Sequence, residues 1–299
     1  RLYDVGYTAA VRRNHLDYRL TVVGDSKAAL REQLAAYLND EAPAGVGSGV
    51  RAREIKPVVF AFSGQGTHWL GMGQELLEKE PVFRATVETC DRILQELGGY
   101  SLIDILTNAD ALPADEARAR LDDTVVAQPA IFAMQVALAA LWISWGITPD
   151  VIVGQSLGEV AAAHVAGALT LEDAARIVYH RSRLMASVEG QGLSAIVGLP
   201  LEEAKLVTLT FKDVVGVAGS SSPTASLISG DPEAVRRIVD SLDAQGTFAR
   251  VLKGVTIAFH SPQMDPLVPE LEEALREIEP RPTTVPLFST VTGTLIDGL

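Results

Sequence analysis

One cysteine, Cys90, occurs in 299 residues. A single thiol excludes an internal disulfide framework and fits a reducing compartment, so a cytoplasmic location is expected. Cys90 lies in Val87-Glu88-Thr89-Cys90-Asp91-Arg92-Ile93, a helical pattern without a neighbouring histidine, and reads as a structural thiol. No uninterrupted apolar run approaches the ~20 residues that cross a bilayer. The opening residues Arg1-Leu2-Tyr3-Asp4 are charged and unlike a signal peptide; without an initiator methionine, the sequence is expected to be a piece of a longer polypeptide. Positive charge is scarce: 25 Lys and Arg stand against 38 Asp and Glu, a net charge of −13. That balance argues against nucleic acid or an anionic membrane as the main partner. Internal repeats and low-complexity tracts are missing, and no metal site is expected. Hydrophobic residues are not scarce, at 47 %, enough for a sizeable core.

The first 56 residues read as a small α/β unit. Val5 to Arg13 is helical in pattern, His15 to Val23 alternates like a strand, and Ser26 to Leu38 is amphipathic with a serine cap. Asn39 to Gly49, rich in Ala, Gly, Pro and Ser, reads as a linker. A buried-type strand, Pro57 to Phe62, then runs into Ser63-Gly64-Gln65-Gly66-Thr67. In open α/β sheets the carboxyl end of such a strand is where ligands bind. Helices are predicted at Gly73 to Glu80, Val82 to Leu97, Gln128 to Trp145 and Leu171 to Ser187, the last with Thr170 as cap. From Leu193 the order becomes β-α-β-β-α-β: strands at Ser194–Gly198, Val214–Ala218, Ala225–Ser229 and Phe248–Leu252, helices at Leu201–Thr208 and Asp231–Gln245. This is the split βαβ, ferredoxin-like arrangement, set into the middle of the larger unit. Thr256 to His260, a helix from Met264 to Ile278 and a strand from Val285 to Val291 follow.

The chemistry centres on Val151-Ile152-Val153-Gly154-Gln155-Ser156-Leu157-Gly158-Glu159. A β-branched stretch enters a Gly-X-Ser-X-Gly turn, and an Ala-rich helical segment leaves it, the layout of a nucleophile elbow. The glycines permit the sharp turn. Ser156 would sit at the N-terminus of a helix, where backbone N–H groups can stabilise an oxyanion. A serine hydroxyl needs a base. Of five histidines, His15, His164 and His180 sit in surface or helical contexts. His68 adjoins the Gly64-Gln65-Gly66 loop, and His260 stands at a predicted strand end, the more rigid place for a base. No carboxylate stands out as a third member, and a backbone carbonyl from Phe288-Ser289-Thr290 is a candidate to orient the imidazole. Arg181 lies on a largely apolar helix. Directed into a cleft, it could grip a carboxylate for about 1.5–3 kcal/mol; directed outward, it would be an ordinary solvated arginine, as Arg183 is expected to be.

Seven stretches carry a family resemblance: Phe62-Ser63-Gly64-Gln65-Gly66, Gln128-Pro129-Ala130, the elbow with Glu159, Ala161 to Leu169, Arg181-Ser182-Arg183-Leu184-Met185, Ser229-Gly230-Asp231-Pro232-Glu233-Ala234 and Ala258-Phe259-His260-Ser261. In this order they resemble the acyltransferase domain of modular polyketide synthases. More distantly they are similar to the malonyl-CoA:acyl carrier protein transacylases of fatty acid synthesis. The resemblance implies an α/β fold: an α/β-hydrolase-like core with a parallel sheet (57–190 and 254–299), an inserted ferredoxin-like subdomain (191–253) and an N-terminal α/β unit (1–56) like the linker that joins a ketosynthase to its acyltransferase. It makes Ser156 the acylated nucleophile, His260 its base, the N–H groups of Gln65 and Leu157 the oxyanion hole, and Arg181 the ligand for the extender's carboxylate. Gln128 would line the site. It implies acyl-CoA as substrate, an acyl carrier protein bearing phosphopantetheine as acceptor, neighbouring synthase domains such as the ketosynthase as partners, and no permanently bound cofactor.

Two departures stand out. Gln155 occupies a position where the family usually has histidine, and glutamine still donates and accepts hydrogen bonds. Ile257-Ala258-Phe259-His260 shares its Phe with the His-Ala-Phe-His of malonyl-type domains, against Tyr-Ala-Ser-His in methylmalonyl-type ones. A Phe259 ring beside the base would fill the room an α-methyl branch needs, so malonyl is favoured over methylmalonyl or other extenders. Two competing classes remain at this level: an α/β serine hydrolase, which leaves Arg181 and the inserted subdomain unexplained, and an inert docking module, against which intact Ser156, Arg181 and His260 count.

Overall fold

The computed structural model describes residues 1–54, 56–108 and 112–296; residues 55, 109–111 and 297–299, which the sequence places in the linker unit and the core, lie outside the described residues. The chain divides into two units, Arg1–Lys56 and Pro57–Leu299.

The smaller unit runs α1 (Leu2–Val11), β1 (Tyr18–Val22), α2 (Lys27–Leu38) and β2 (Val46–Val50). Ser26 is extended and its Oγ accepts from the N–H of Ala29 at 3.1 Å, capping α2 as its position predicts. The predicted linker at Asn39–Gly49 is corrected at its end: β2 pairs antiparallel with β1, Tyr18 opposite Val50 through Val22 opposite Val46. The Val-Gly-Ser-Gly-Val composition has poor strand propensity, and pairing with a partner distant in sequence overrides it.

The larger unit opens with β3 (Val59–Phe62), then α3 (Gln74–Lys79), α4 (Pro81–Gly98), α5 (Leu102–Thr107), α6 (Ala114–Asp122) and α7 (Thr124–Ser144). Helices α5 and α6 were not anticipated, and α7 begins four residues before the expected Gln128, which puts Pro129 inside it. Proline cannot donate to the carbonyl four residues back. Here that carbonyl, Val125, accepts from the Tyr100 hydroxyl at 3.1 Å, so the helix passes through Pro129 without an orphaned acceptor. Helix α7 is long and apolar enough to cross a membrane by composition, but 72 % of its most apolar window is buried inside the protein. It packs against α4 and against the two helices that follow β4 (Val151–Gly154), α8 (Gly158–Val165) and α9 (Leu171–Ala186). Phe83, Leu94, Phe132, Val136 and Val178 are buried in this core.

Strand β4 lies at the centre of a parallel three-stranded sheet, between β3 and the late strand β9 (Leu287–Ser289). Between them comes β5 (Leu193–Val197), α10 (Leu201–Thr208), β6 (Val215–Ser222), β7 (Ala225–Gly230), α11 (Pro232–Ala244) and β8 (Ala249–Val251). The four strands form an antiparallel sheet in the order β6-β7-β5-β8. With α10 and α11 packed on it around Val197, Ile228, Val235 and Ile238, it is the ferredoxin-like arrangement that the element order predicts. Asp231 Oδ1 accepts from the N–H groups of Glu233 and Ala234 at 3.0 and 2.9 Å, and Pro232 occupies the first turn, so α11 starts where its cap dictates.

The segment Thr256–His260 is not a strand; it is irregular and ends in a turn at His260. A short 3₁₀ segment, Pro262–Leu267, and α12 (Val268–Leu275) replace the single helix expected from Met264 to Ile278. The molecule is thus an α/β protein with a parallel-sheet core into which a small antiparallel subdomain is inserted.

Candidate active site

Strand β4 delivers the chain to Gly154 in register with Phe62 of β3, and the N–H of Gln155 continues the ladder to the Phe62 carbonyl at 2.9 Å. The chain then reverses into α8. A Cβ on Gly154 would fall 2.3 Å from the Gly158 carbonyl oxygen, and one on Gly158 would fall 2.2 Å from that of Phe62. Only glycine fits either position, which explains both glycines of the turn. Ser156 at the apex has φ +54°, the left-handed conformation of a strained elbow.

Ser156 Oγ lies 2.8 Å from His260 Nε2. His260 also has a positive φ, +56°. Two non-glycine residues in this region, facing each other, mark a site where backbone strain is tolerated to aim side chains. Burial and the nearby Arg181 charge lower the His260 pKa, partly opposed by Glu159. An imidazole kept unprotonated is competent to accept the serine proton. The suggested anchor on β9 is not made: His260 Nδ1 has no hydrogen-bond partner among the described residues. The N–H and Oγ1 of Thr290 instead donate to Glu159 Oε1 at 2.9 and 2.8 Å, and Oγ1 also reaches the Gly154 carbonyl at 3.1 Å. The end of β9 therefore braces the elbow from below and leaves the imidazole alone.

Arg181 points inward. Its Nη1 donates to Gln128 Oε1, and its Nη2 lies 3.4 Å from Ser156 Oγ. Gln128, on α7 and fully buried, donates in turn to Gln65 Oε1 at 3.0 Å. Burial pushes the Arg181 pKa down to about 10, which leaves it cationic at neutral pH. No carboxylate pairs with it among the described residues, whereas Arg183, two residues on, bonds Glu270 at 2.7 Å at the surface. A cation withdrawn partly from water without a counter-ion is unfavourable. The backbone N–H groups of Gln65 and Leu157 likewise have no hydrogen-bond partner among the described residues. A cleft of about 510 Å³ joins Gln65, Gln155, Ser156, Arg181, Phe259 and His260. The Leu157 and Gln128 side chains are buried behind it.

Three of the other histidines have hydrogen-bond partners, and the fourth, His180, has a buried Nδ1 with none among the described residues. His68 is in the cleft wall, but its Nε2 bonds Asp122 at 2.8 Å. His164 Nδ1 donates to the Leu169 carbonyl at 3.1 Å, and His15 Nε2 lies 2.7 Å from the Ala10 carbonyl. Cys90 is buried and its thiol is pushed up to about 12, an inert group. Sequence reasoning missed the Gln65–Gln128–Arg181 chain of hydrogen bonds, which joins residues far apart in the sequence with no local signature.

A nucleophile elbow, an apposed histidine and vacant N–H groups on an α/β core define an enzyme of the acyl-transfer class. The chain matches the acyl transferase domain family over residues 59–297 and belongs to it; residues 1–34 match the family described as CurL-like, PKS C-terminal. It is 41 % identical over 300 residues to polyketide synthase GfsA of Streptomyces halstedii, covering 98 % of the chain and 4 % of that protein. It is 39 % identical over 301 residues to erythronolide synthase EryA2 of Saccharopolyspora erythraea, covering 99 % and 8 %. The chain thus spans less than a tenth of either relative. The acyltransferase domain from module 8 of the salinomycin polyketide synthase superposes with a TM-score of 0.88 at 32 % identity, over 99 % of this chain and 68 % of that one. FabD from Acinetobacter baumannii superposes with a TM-score of 0.70 at 27 % identity, over 80 % and 74 %. The chain is an acyltransferase domain of the kind modular polyketide synthases carry.

Proposed function

We propose that this domain loads a carboxyacyl extender unit, malonyl in preference to methylmalonyl, from CoA onto Ser156 and passes it to the phosphopantetheine thiol of an acyl carrier protein. The observation that carries the reading is Arg181: a half-buried guanidinium in the cleft wall, unpaired with any carboxylate among the described residues, 3.4 Å from the nucleophile. It supplies the counter-charge that a free carboxylate two carbons from the thioester would meet.

His260 takes the Ser156 proton as Oγ attacks the thioester carbonyl. The oxyanion rests on the N–H groups of Gln65 and Leu157. The tetrahedral adduct collapses, the C–S bond breaks, and the imidazolium returns its proton to the CoA sulfur. In the second half the carrier thiol gives its proton to His260 and attacks the acyl-serine, releasing Ser156 with the proton restored. Gln128 fixes Arg181, and Phe259 narrows the cleft beside the base. Gln155 lines the cleft next to the nucleophile in place of the family's usual histidine, and its amide keeps both hydrogen-bonding capacities.

Residues 1–56 then serve as a ketosynthase-to-acyltransferase linker, 57–190 with 254–299 as the catalytic core, and 191–253 as the subdomain that closes the cleft. The partners are the carrier protein and the ketosynthase and other domains of one cytoplasmic polypeptide. No permanently bound cofactor or metal takes part. The test offers malonyl-, methylmalonyl- and acetyl-CoA in equal amounts and weighs the acyl-enzyme by intact mass. Malonyl should dominate. A predominance of acetyl would remove the carboxylate-clamp reading, and rapid ester hydrolysis with no trapped acyl-enzyme would favour a serine hydrolase.

A further inference from the structure

The stretch after β3 that carries Gln65 contains Gly66 at φ +106° and has no regular structure up to α3. Among the described residues, three side chains of the α6–α7 segment bond to it. Gln135 Nε2 donates to the Ser63 carbonyl at 2.7 Å, Gln128 Nε2 to Gln65 Oε1 at 3.0 Å, and His68 Nε2 to Asp122 Oδ1 at 2.8 Å. The first two fix the near end of the stretch. Beyond Gly66, Thr67 Oγ1 accepts from Ser63 Oγ at 3.4 Å within the stretch itself, and of the bonds to the α6–α7 segment among the described residues the third is the one that lies past Gly66.

Asp122 ends α6, and its other oxygen accepts from Arg118 Nε at 2.8 Å, so both carboxylate oxygens are held. The next residue, Asp123, caps α7 by accepting from the Val125 N–H at 2.9 Å. The His68 side chain is only 7 % exposed, and its Nδ1 is buried with no partner among the described residues, so the bond to Asp122 sets the direction of the ring. Burial works against the Asp122 charge, but the bonds from Arg118 and His68 outweigh it and hold the carboxyl below its usual range. His68 does not touch Ser156, and the reaction outlined above does not use it.

We infer that His68 is a positioning residue: its bridge to Asp122 holds the loop so that the Gln65 N–H stays aimed at the acyl oxygen. This rests on the acyltransferase reading above. The bridge should matter in the transition state, where the oxyanion exists, and little in the ground state.

The test measures single-turnover acylation by malonyl-CoA in the wild-type domain and in His68→Ala, His68→Gln and Asp122→Ala. Thermal melts accompany it, with malonyl-CoA affinity measured on a Ser156→Ala background. His68→Ala and Asp122→Ala should each slow acylation by roughly 10- to 100-fold, the scale of a misaimed catalytic group, with affinity unchanged. His68→Gln, whose amide can still donate to Asp122, should recover to within about threefold of wild type. Asp122 is half-exposed, so its variant keeps the test alive if His68→Ala misfolds. Wild-type acylation rates in both bridge-breaking variants would overturn the inference. So would a loss that appears only as weaker malonyl-CoA binding, or a His68→Gln variant as slow as His68→Ala. A wild-type domain that takes no malonyl group would overturn the acyltransferase reading itself, a separate result.

Discussion

Removing Arg181 should separate substrates by charge. In Arg181→Ala the extender's carboxylate would enter the cleft without its guanidinium partner. A hydrogen bond to a charged group contributes about 1.5–3 kcal/mol net, and each ~1.36 kcal/mol is tenfold in rate. Malonyl kcat/KM should therefore fall by roughly 10- to 100-fold. Acetyl-CoA has no carboxylate to strand, so its transfer should change far less, and the malonyl-to-acetyl ratio should collapse. A second consequence follows from the buried network. Arg181 donates to Gln128 Oε1, and without it that oxygen is orphaned in the core. The orphan costs about 1–3 kcal/mol of stability, which a melt would register without substrate preference. Arg181→Lys controls for this: it keeps a charge but loses the planar fork, and should recover malonyl transfer only in part. The assay is kcat/KM for both CoA esters on all three proteins. Equal losses for malonyl and acetyl would refute the clamp and leave Arg181 as a structural brace for Gln128.

Three further outcomes are expected. Phe259→Ser should raise the methylmalonyl-to-malonyl loading ratio by an amount on the scale of one methyl group, about 1–3 kcal/mol; an unchanged ratio in a mixed-CoA competition would place selectivity elsewhere in the cleft. Burial and Arg181 depress the His260 pKa, and the base works unprotonated, so the acid limb of kcat/KM should lie below the ordinary histidine value of 6.5, with a plateau at neutral pH; a limb above that value would contradict the assignment. Tyr100→Phe should cost about 1–2 kcal/mol, because Pro129 cannot donate to the freed Val125 carbonyl, and at about 2–4 °C per kcal/mol the melting temperature should drop accordingly; an unchanged melt would show that another group satisfies that carbonyl.

What the sequence disclosed was what short-range chemistry controls. The elbow was legible because two glycines flank Ser156 at a fixed spacing, and each proves irreplaceable against a backbone carbonyl. Helices α2 and α9 were legible from their caps Ser26 and Thr170, both of which make the expected bond, and α11 was legible from its pattern and from Pro232 in its first turn. What stayed hidden depends on partners distant in sequence. Strand β2 is held by its pairing with β1, and the Val125 carbonyl that Pro129 leaves free in α7 is taken by Tyr100. His260 was expected at a strand end and is instead aimed by a left-handed turn, a conformation its neighbours do not announce. For the same reason Arg181 could be singled out from its apolar helix, but its inward direction could not, since Gln128 sets it from 53 positions away.

The central claim is that Ser156 carries the acyl group, activated by His260 2.8 Å away. The most direct measurement is peptide mapping by mass after brief exposure to malonyl-CoA, on wild type, Ser156→Ala and His260→Ala. The account predicts one malonyl adduct, on the Ser156 peptide, absent from Ser156→Ala and formed far more slowly in His260→Ala. An adduct on any other residue, or one that persists undiminished in Ser156→Ala, would contradict it.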